Sequence, residues 1–380
     1  MKCYKFLSLL LLAFGLMAAF SACKKDDQPN GGQPRIRYVR VTDPAAADSL
    51  LIGAGQGKLI AIVGENLQNT QAIWFNDQQA SLTPTYITAT TILVSVPGKI
   101  PLDITNKIKL VFSNGSSLEY DFEVQISEPV VNSMNCEYVP AGGTAVIRGD
   151  YFYEPLTVTF AGGVTGEIVS VADQMVLVRV PEGAEPGQIT VTTNFGSTKS
   201  NFWFRDNRNI VISSDPFTGW WDASLVVSDP GVDDPPLING NYLRIKAAIS
   251  SWQWKELAGG PASAMGDISK NIPDEAILKP ELYNLKFEVN TKKPYNNNML
   301  RFNFGLLAEN TGYGWAPPID TQGEWQTITI SFDELAKSYG IPLQVSPAGY
   351  WSRVVFSGPG DLDADMSFDN FRIVPKTIEE

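Results

Sequence analysis

The chain has 380 residues, 44% apolar and 18% charged, with 41 acidic against 29 basic side chains and no histidine. Without imidazole there is no Ser-His-Asp or Cys-His nucleophile, no histidine general base and no His-ligated zinc or iron, and a net charge of -12 repels phosphate backbones, so nucleic acid is not an expected partner. Thirty-two glycines and 25 prolines, with aromatics at 11%, point to an all-β chain of short strands and tight turns.

Lys2 and Lys5 precede an apolar run from Phe6 to Phe20 that is too short to span a bilayer and has the make-up of a signal-peptide core. Ser21 and Ala22 then lead into Cys23, a lipobox-like ending. Residues 1–22 are therefore expected to be a lipoprotein signal peptide, with Cys23 acylated as the first mature residue. The following Lys24-Lys25-Asp26-Asp27 resembles the charged export tag of Bacteroidota lipoproteins, which implies a lipid-anchored protein on the outer face of the outer membrane. Acyl chains hold such a protein to a leaflet without a transmembrane helix. Residues 23–34, ending in Gln28-Pro29-Asn30-Gly31-Gly32-Gln33-Pro34, read as the lipidated cysteine and a flexible tether. With Cys23 lipidated, Cys136 has no disulfide partner and the folded domains must hold by burial.

A repeat follows. Gly57-Lys58-Leu59-Ile60-Ala61-Ile62-Val63-Gly64-Glu65-Asn66-Leu67 has the pattern of Gly143-Thr144-Ala145-Val146-Ile147-Arg148-Gly149-Asp150-Tyr151-Phe152. Phe75 answers Phe160, Val94-Ser95-Val96-Pro97 answers Val178-Arg179-Val180-Pro181, and Phe122 is matched to Phe202. Apolar and polar residues alternate with period two between turn clusters such as Ser113-Asn114-Gly115-Ser116, so each copy has the patterning of a β-sandwich. Both copies resemble the IPT/TIG domain, an immunoglobulin-like family marked by a strand closing in Gly-x-x-Phe/Leu, a strand ending in Phe and a Val-x-Val-Pro strand. The resemblance covers residues 35–127 and 128–205 and implies two tandem Ig-like sandwiches that act as spacers. DNA binding, one use of that family, is ruled out by the acidity and the export signal.

The last domain, 206–380, reads as a larger C-terminal β-sandwich with a carbohydrate-binding role. Of nine tryptophans only Trp74 and Trp203 precede position 220. One β domain seldom needs so many indoles in its core, so some are expected to face a ligand. Trp220 and Trp221 are adjacent in the turn-rich Pro216-Phe217-Thr218-Gly219-Trp220-Trp221-Asp222, where both cannot point into one core. Trp252 and Trp254 share a face at i and i+2 if their segment is a strand, giving a platform about 7 Å long. Tyr313 and Trp315 lie in a loop punctuated by glycine and proline, a poor place to bury two large rings. Trp325 is assigned to framework, opening a strand that leads through Ser331-Phe332-Asp333-Glu334, a capping-box pattern, into a short helix to Tyr339. One of Tyr350 and Trp351 is expected in the core. The C-H face of a sugar ring packs on an aromatic face, and its rim hydroxyls need polar partners. On the strands around 284–290 and 299–305, Leu285, Phe287, Val289, Leu300, Phe302 and Phe304 form an apolar face. Lys286 and Glu288 read as solvated surface, and Arg301 and Asn303 as candidate rim donors.

Gly240-Asn241-Tyr242-Leu243-Arg244-Ile245, Trp252-x-Trp254 followed by Glu256-Leu257-Ala258-Gly259-Gly260, Leu285 to Thr291, and Phe368-Asp369-Asn370-Phe371-Arg372-Ile373-Val374-Pro375 resemble the C-terminal glycan-binding domain of surface glycan-binding proteins from Bacteroidota polysaccharide-utilisation loci. Lipobox, tandem Ig-like spacers and terminal sandwich occur in that order in the family. The resemblance implies a non-catalytic capture protein that binds polysaccharide, a plant cell-wall β-glucan or hemicellulose, and works beside outer-membrane import machinery. By motif position its platform is Trp220 or Trp221 with Trp252 and Trp254. Gln253 stands where family members place a Tyr, so the ligand can differ from the xyloglucan of the best-known relatives. A protein-binding adhesin or assembly factor using the same aromatic patch is the alternative. No acidic pair with glycosidase spacing lies among the aromatics. Asp361-Leu362-Asp363-Ala364-Asp365 departs from an EF-hand at Met366 and Arg372, and no metal or cofactor is expected.

Overall fold

The structure, a computed structural model, describes residues 32–46, 48–220 and 223–378. The readings for the signal peptide, for lipidation at Cys23 and for Trp221 lie outside them. Among the described residues the regular structure is overwhelmingly antiparallel strand, with a few short helices, none long and apolar enough to cross a membrane. The chain divides into two compact units, Met1–Ile126 and Ser127–Glu380.

The first unit holds the first repeat copy. Strands Leu50–Leu51, Arg35–Val41, Leu59–Glu65 and Thr91–Ser95 form one sheet, and Gln78–Gln79, Thr70–Phe75, Lys107–Phe112 and Ser117–Asp121 form another. Period-two alternation sends Ile60, Ile62, Ile73, Phe75, Ile92, Val94, Ile108 and Leu110 into one core. Phe75 meets Phe122 edge to face at 6.0 Å.

The second unit begins with the second copy. Val130–Met134, Thr144–Asp150, Met175–Arg179 and Glu167–Ala172 form a four-stranded sheet opposite a three-stranded one of Leu156–Ala161, Glu185–Thr193 and Gly196–Phe204. The repeated glycines have a common cause. A Cβ on Gly64 would sit 2.1 Å from the carbonyl oxygen of Arg35, and one on Gly149 would sit 1.8 Å from that of Val130 and 2.6 Å from the ring of Phe152. The glycine of Gly-x-x-Phe thus clears space for both the neighbouring strand and the aromatic three residues on. The ring that meets Phe160 edge to face is Phe204, at 5.0 Å, so the counterpart of Phe122 in ring pairing is Phe204 rather than Phe202.

The rest of this unit is a further sandwich. Its five-stranded sheet runs Val226–Val227, Tyr242–Ile249, Leu362–Pro375, Tyr283–Thr291, Gln326–Ser331, and its four-stranded sheet runs Lys255–Gly260, Trp351–Phe356, Leu300–Leu306, Tyr313–Trp315. Leu285, Phe287 and Val289 face Leu300, Phe302 and Phe304 across the core, with Phe287 and Phe302 at 5.5 Å. The predicted helix is present at Phe332–Ser338, but Ser331 makes no capping bond: its hydroxyl accepts from Lys376 Nζ at 2.9 Å.

The polar face of the five-stranded sheet is a correction to the sequence reading. Lys286 and Glu288 are buried, because that face packs on the second Ig-like sandwich. Arg372 Nη1 donates to Glu288 Oε2 at 2.8 Å and its Nη2 to Glu137 Oε2 at 2.6 Å, while Lys286 Nζ donates to Glu137 Oε1 at 2.6 Å. Thr327 Oγ1 donates to Glu288 and accepts the Glu137 N–H, both at 2.8 Å. Cys136, a free buried thiol, sits beside this cluster with Tyr138, Tyr242 and Trp325.

Candidate functional site

On the outer face of the four-stranded sheet three indoles gather around one arginine. Alternation along Trp351–Phe356 buries Val354 and Phe356 in the core and sends Arg353 to the other face. Arg353 is nevertheless buried, because aromatic rings cover it: its guanidinium carbon lies 4.9 Å from the centre of Trp254, 5.5 Å from Trp220 and 5.7 Å from Trp351. Its Nε donates to both oxygens of Glu256 at 3.0 and 3.1 Å, its Nη2 also bonds Glu256, and its Nη1 donates to Glu309 Oε1 at 2.7 Å. Burial pulls the Arg353 pKa down, but these two carboxylates outweigh it and the value lies above the usual arginine range.

Trp254 directly precedes the Lys255–Gly260 strand, and its Nε1–H donates to Glu256 Oε1 at 2.6 Å. Trp220 lies on an extra edge segment whose backbone N–H donates to the Gly259 carbonyl at 3.1 Å. Its ring stands edge to face on Trp351 at 5.1 Å. A Cβ at Gly260 would meet Trp220 Cγ at 3.2 Å, so the glycine that closes the Lys255–Gly260 strand seats the ring. Trp220 and Trp254 remain 49% and 45% exposed, two half-bare apolar faces around one buried cation.

The other candidate residues sort differently. Trp252 is 61% exposed, but it does not share a strand with Trp254. It occupies a turn with φ of 61°, and among the described residues it makes no ring or cation contact. Tyr313 and Trp315 are not in a loop. They form an edge strand whose i, i+2 face points inward, so Trp315 is 6% exposed and stacked on Tyr295 at 5.6 Å, and Tyr313 stacks on Phe302. Asn303 is buried with Gly312 backed against its amide, and Arg301 spends its guanidinium on the carbonyls of Ser357 and Thr311. Neither is placed as a rim donor in this arrangement. Trp325 is framework as expected, its Nε1–H donating to Pro236 O at 2.9 Å, and both Tyr350 and Trp351 are buried. The three aspartates at 361, 363 and 365 serve Ser251 N–H, Lys293 and Arg244 respectively, and no metal-holding group of carboxylates, Cys or His occurs among the described residues. The sequence reading missed Arg353, Glu256 and Glu309 as a unit. The visible signal was a lone charged residue inside an otherwise uncharged strand.

Residues 204–375 match the model of the surface glycan-binding protein B xyloglucan binding domain. An IPT/TIG domain-containing protein of Bacteroides ovatus is 32% identical, the alignment covering 98% of this chain and 99% of that protein. The chain belongs to the surface glycan-binding proteins of the B type. The crystal structure of a surface glycan-binding protein B from Prevotella bryantii shares its fold, with a TM-score of 0.68 at 24% identity over 91% of this chain and 99% of that one. A B-type protein from a complex xyloglucan utilization locus in Bacteroides uniformis aligns at a TM-score of 0.50 and 18% identity, over 90% of this chain and all of that one. The all-β, Ig-like architecture is that of the B-type structures, and the family's work is glycan capture.

Proposed function

We propose that this protein captures a β-linked glucan, with xyloglucan the first candidate, on the rings of Trp220 and Trp254 at the outer face of the C-terminal sandwich. The observation that carries the reading is the pair of half-exposed indoles held around one buried guanidinium. Apolar faces that a core would normally bury stay half exposed, and both ring centres lie within 5.5 Å of one guanidinium carbon, so a single glycan chain can reach both. The name of the domain family that matches residues 204–375 supplies the substrate class.

The capture is non-catalytic. Glu256 and Glu309 are the carboxylates beside the rings, and both are bonded to Arg353, with Glu256 also holding the Trp254 N–H. A glycosidase needs one protonated carboxyl free to reach a glycosidic oxygen and a second across a cleft; carboxylates tied to a guanidinium do neither. Acylation at Cys23 would anchor the protein in the outer membrane at the cell surface, where a bound chain passes to import machinery. Calorimetric titration with soluble xyloglucan tests the site. Binding by the wild type that is lost in a Trp220→Ala/Trp254→Ala double variant supports it, and unchanged binding in that variant removes it.

A further inference from the structure

Exposed tryptophans on an open sheet face ordinarily keep rotameric freedom, and a ligand that needs two of them in one plane must order both on binding, at a cost in affinity. Here the ordering is already built in beneath the rings. Arginine is planar, always charged and carries five donors in a fixed fork. The in-plane donors of Arg353 go to Glu256 and Glu309, which leaves the guanidinium faces for aromatic contact. Trp254 is then held twice, by the cation against its ring and by Glu256 at its Nε1–H. Trp220 is held by the same cation, by the edge contact with Trp351 and by the glycine floor at Gly260.

We propose that Arg353, acting through Glu256, is the positioning residue that fixes the mutual angle of the two glycan-facing rings before glycan arrives. The inference rests on the capture reading above and names the device that would make it work. Arg353 itself is too deeply covered to touch sugar, so its contribution is made through the indoles. A lysine at 353 would keep a positive charge for the acids but could neither bridge both carboxylates in a plane nor offer a flat face to a ring.

The experiment uses the full chain and soluble xyloglucan as the probe, with calorimetry well below the melting temperature, near-UV circular dichroism and thermal melts on Arg353→Lys, Glu309→Gln and Trp254→Ala. The expected result is a folded Arg353→Lys protein with an altered indole band and affinity lower by about tenfold, the cost of ordering two large side chains on binding. Glu309→Gln, which removes only the more exposed acid, stays within about twofold, since a rim charge contributes little once the buried pair is kept. A purely structural role would lower the melting temperature while leaving the spectrum and the affinity of the folded fraction unchanged, and that result overturns the proposal. Should Arg353→Lys fail to fold, Glu256→Gln keeps an acceptor for Trp254 and loses the charge that orients Arg353; there too, a wild-type spectrum and affinity overturn the proposal and a loss of both supports it. Weak Trp254→Ala binding beside wild-type Arg353→Lys binding sinks the positioning role alone. Wild-type binding by Trp254→Ala sinks the platform and, with it, this inference.

Discussion

Trp254 and Trp220 differ from the other described indoles of the C-terminal sandwich in being gripped from below and bare above, whereas Trp315, Trp325 and Trp351 are buried and Trp252 is exposed without a seat. Truncating either gripped ring to alanine should weaken glycan binding by about tenfold or more, as loss of a central aromatic anchor does. Trp252→Ala should stay within about threefold, because an unseated ring must give up its own freedom to help; affinity electrophoresis on the three variants ranks them. Asp369 offers a test of a different kind. Its Oδ1 accepts the Asn370 N–H at 2.8 Å, but its Oδ2 has no partner among the described residues. Burial, then the nearby Glu288, push its pKa well above the usual carboxylate range, with Asp215 adding to the rise and Arg372 opposing it. A carboxyl with a raised folded-state pKa contributes stability below its unfolded value, and that contribution is lost as pH climbs through the folded one. Asp369→Asn keeps the Oδ1 acceptor and cannot ionise. It should therefore melt higher than wild type at neutral pH, with the gap closing below about pH 4. A gap that stays constant across a pH series of melts would rule out the ionisation argument.

At the scale of strands, the sequence was readable wherever one face met a core and the other met water. Thr91 to Ser95 and Met175 to Arg179 alternate as expected, and Gly64 and Gly149 mark equivalent close approaches in two copies. Gly149→Ala should cost about 1–3 kcal/mol in a denaturant melt, since its methyl would overlap the Val130 carbonyl and the Phe152 ring. Alternation says only that a face is polar, not what covers it. Lys286 and Glu288 have the pattern of a wet strand face, yet Glu137, brought from 149 positions away in sequence, seals them in. The same limit hid Arg353, whose partners Glu256 and Glu309 lie 97 and 44 positions away. Tyr313 and Trp315 were misplaced for a local reason: Gly312 and Pro317-Pro318 flank a three-residue edge strand with Gly314 at its middle, not a loop that leaves the rings outside. For the buried ionic cluster, removing one partner strands a charge. Arg372→Met should accordingly destabilise the protein by about 3–5 kcal/mol in urea, whereas replacing Arg372 and Glu288 together by apolar residues, which keeps the Glu137–Lys286 pair, should recover most of that loss.

In the second compact unit, the C-terminal sandwich uses its two outer faces for different ends. The five-stranded sheet is closed against the neighbouring Ig-like sandwich by the Glu137, Arg372, Glu288 and Lys286 cluster, and the four-stranded sheet carries Arg353 and its rings on the far side of the core. The Ig-like copy therefore serves as the cover of a charged surface. A fragment cut at 206 would present Arg372, Glu288 and Lys286 to water without Glu137, and would uncover Tyr242 and Trp325, which pack with Cys136 and Tyr138. Such a fragment should melt lower and aggregate, whereas one spanning 127–378 keeps every partner of the cluster and should unfold in a single cooperative transition. All contacts that seat Trp220 and Trp254 also lie in 127–378, so this fragment should bind xyloglucan within about twofold of the full chain, the spread expected when no binding contact is removed. Calorimetry on the two fragments beside the full chain decides it. Equal stability of the shorter fragment would mean that the ionic seam does not hold the sandwich together, and weak binding by the longer one would place part of the glycan site in the first unit.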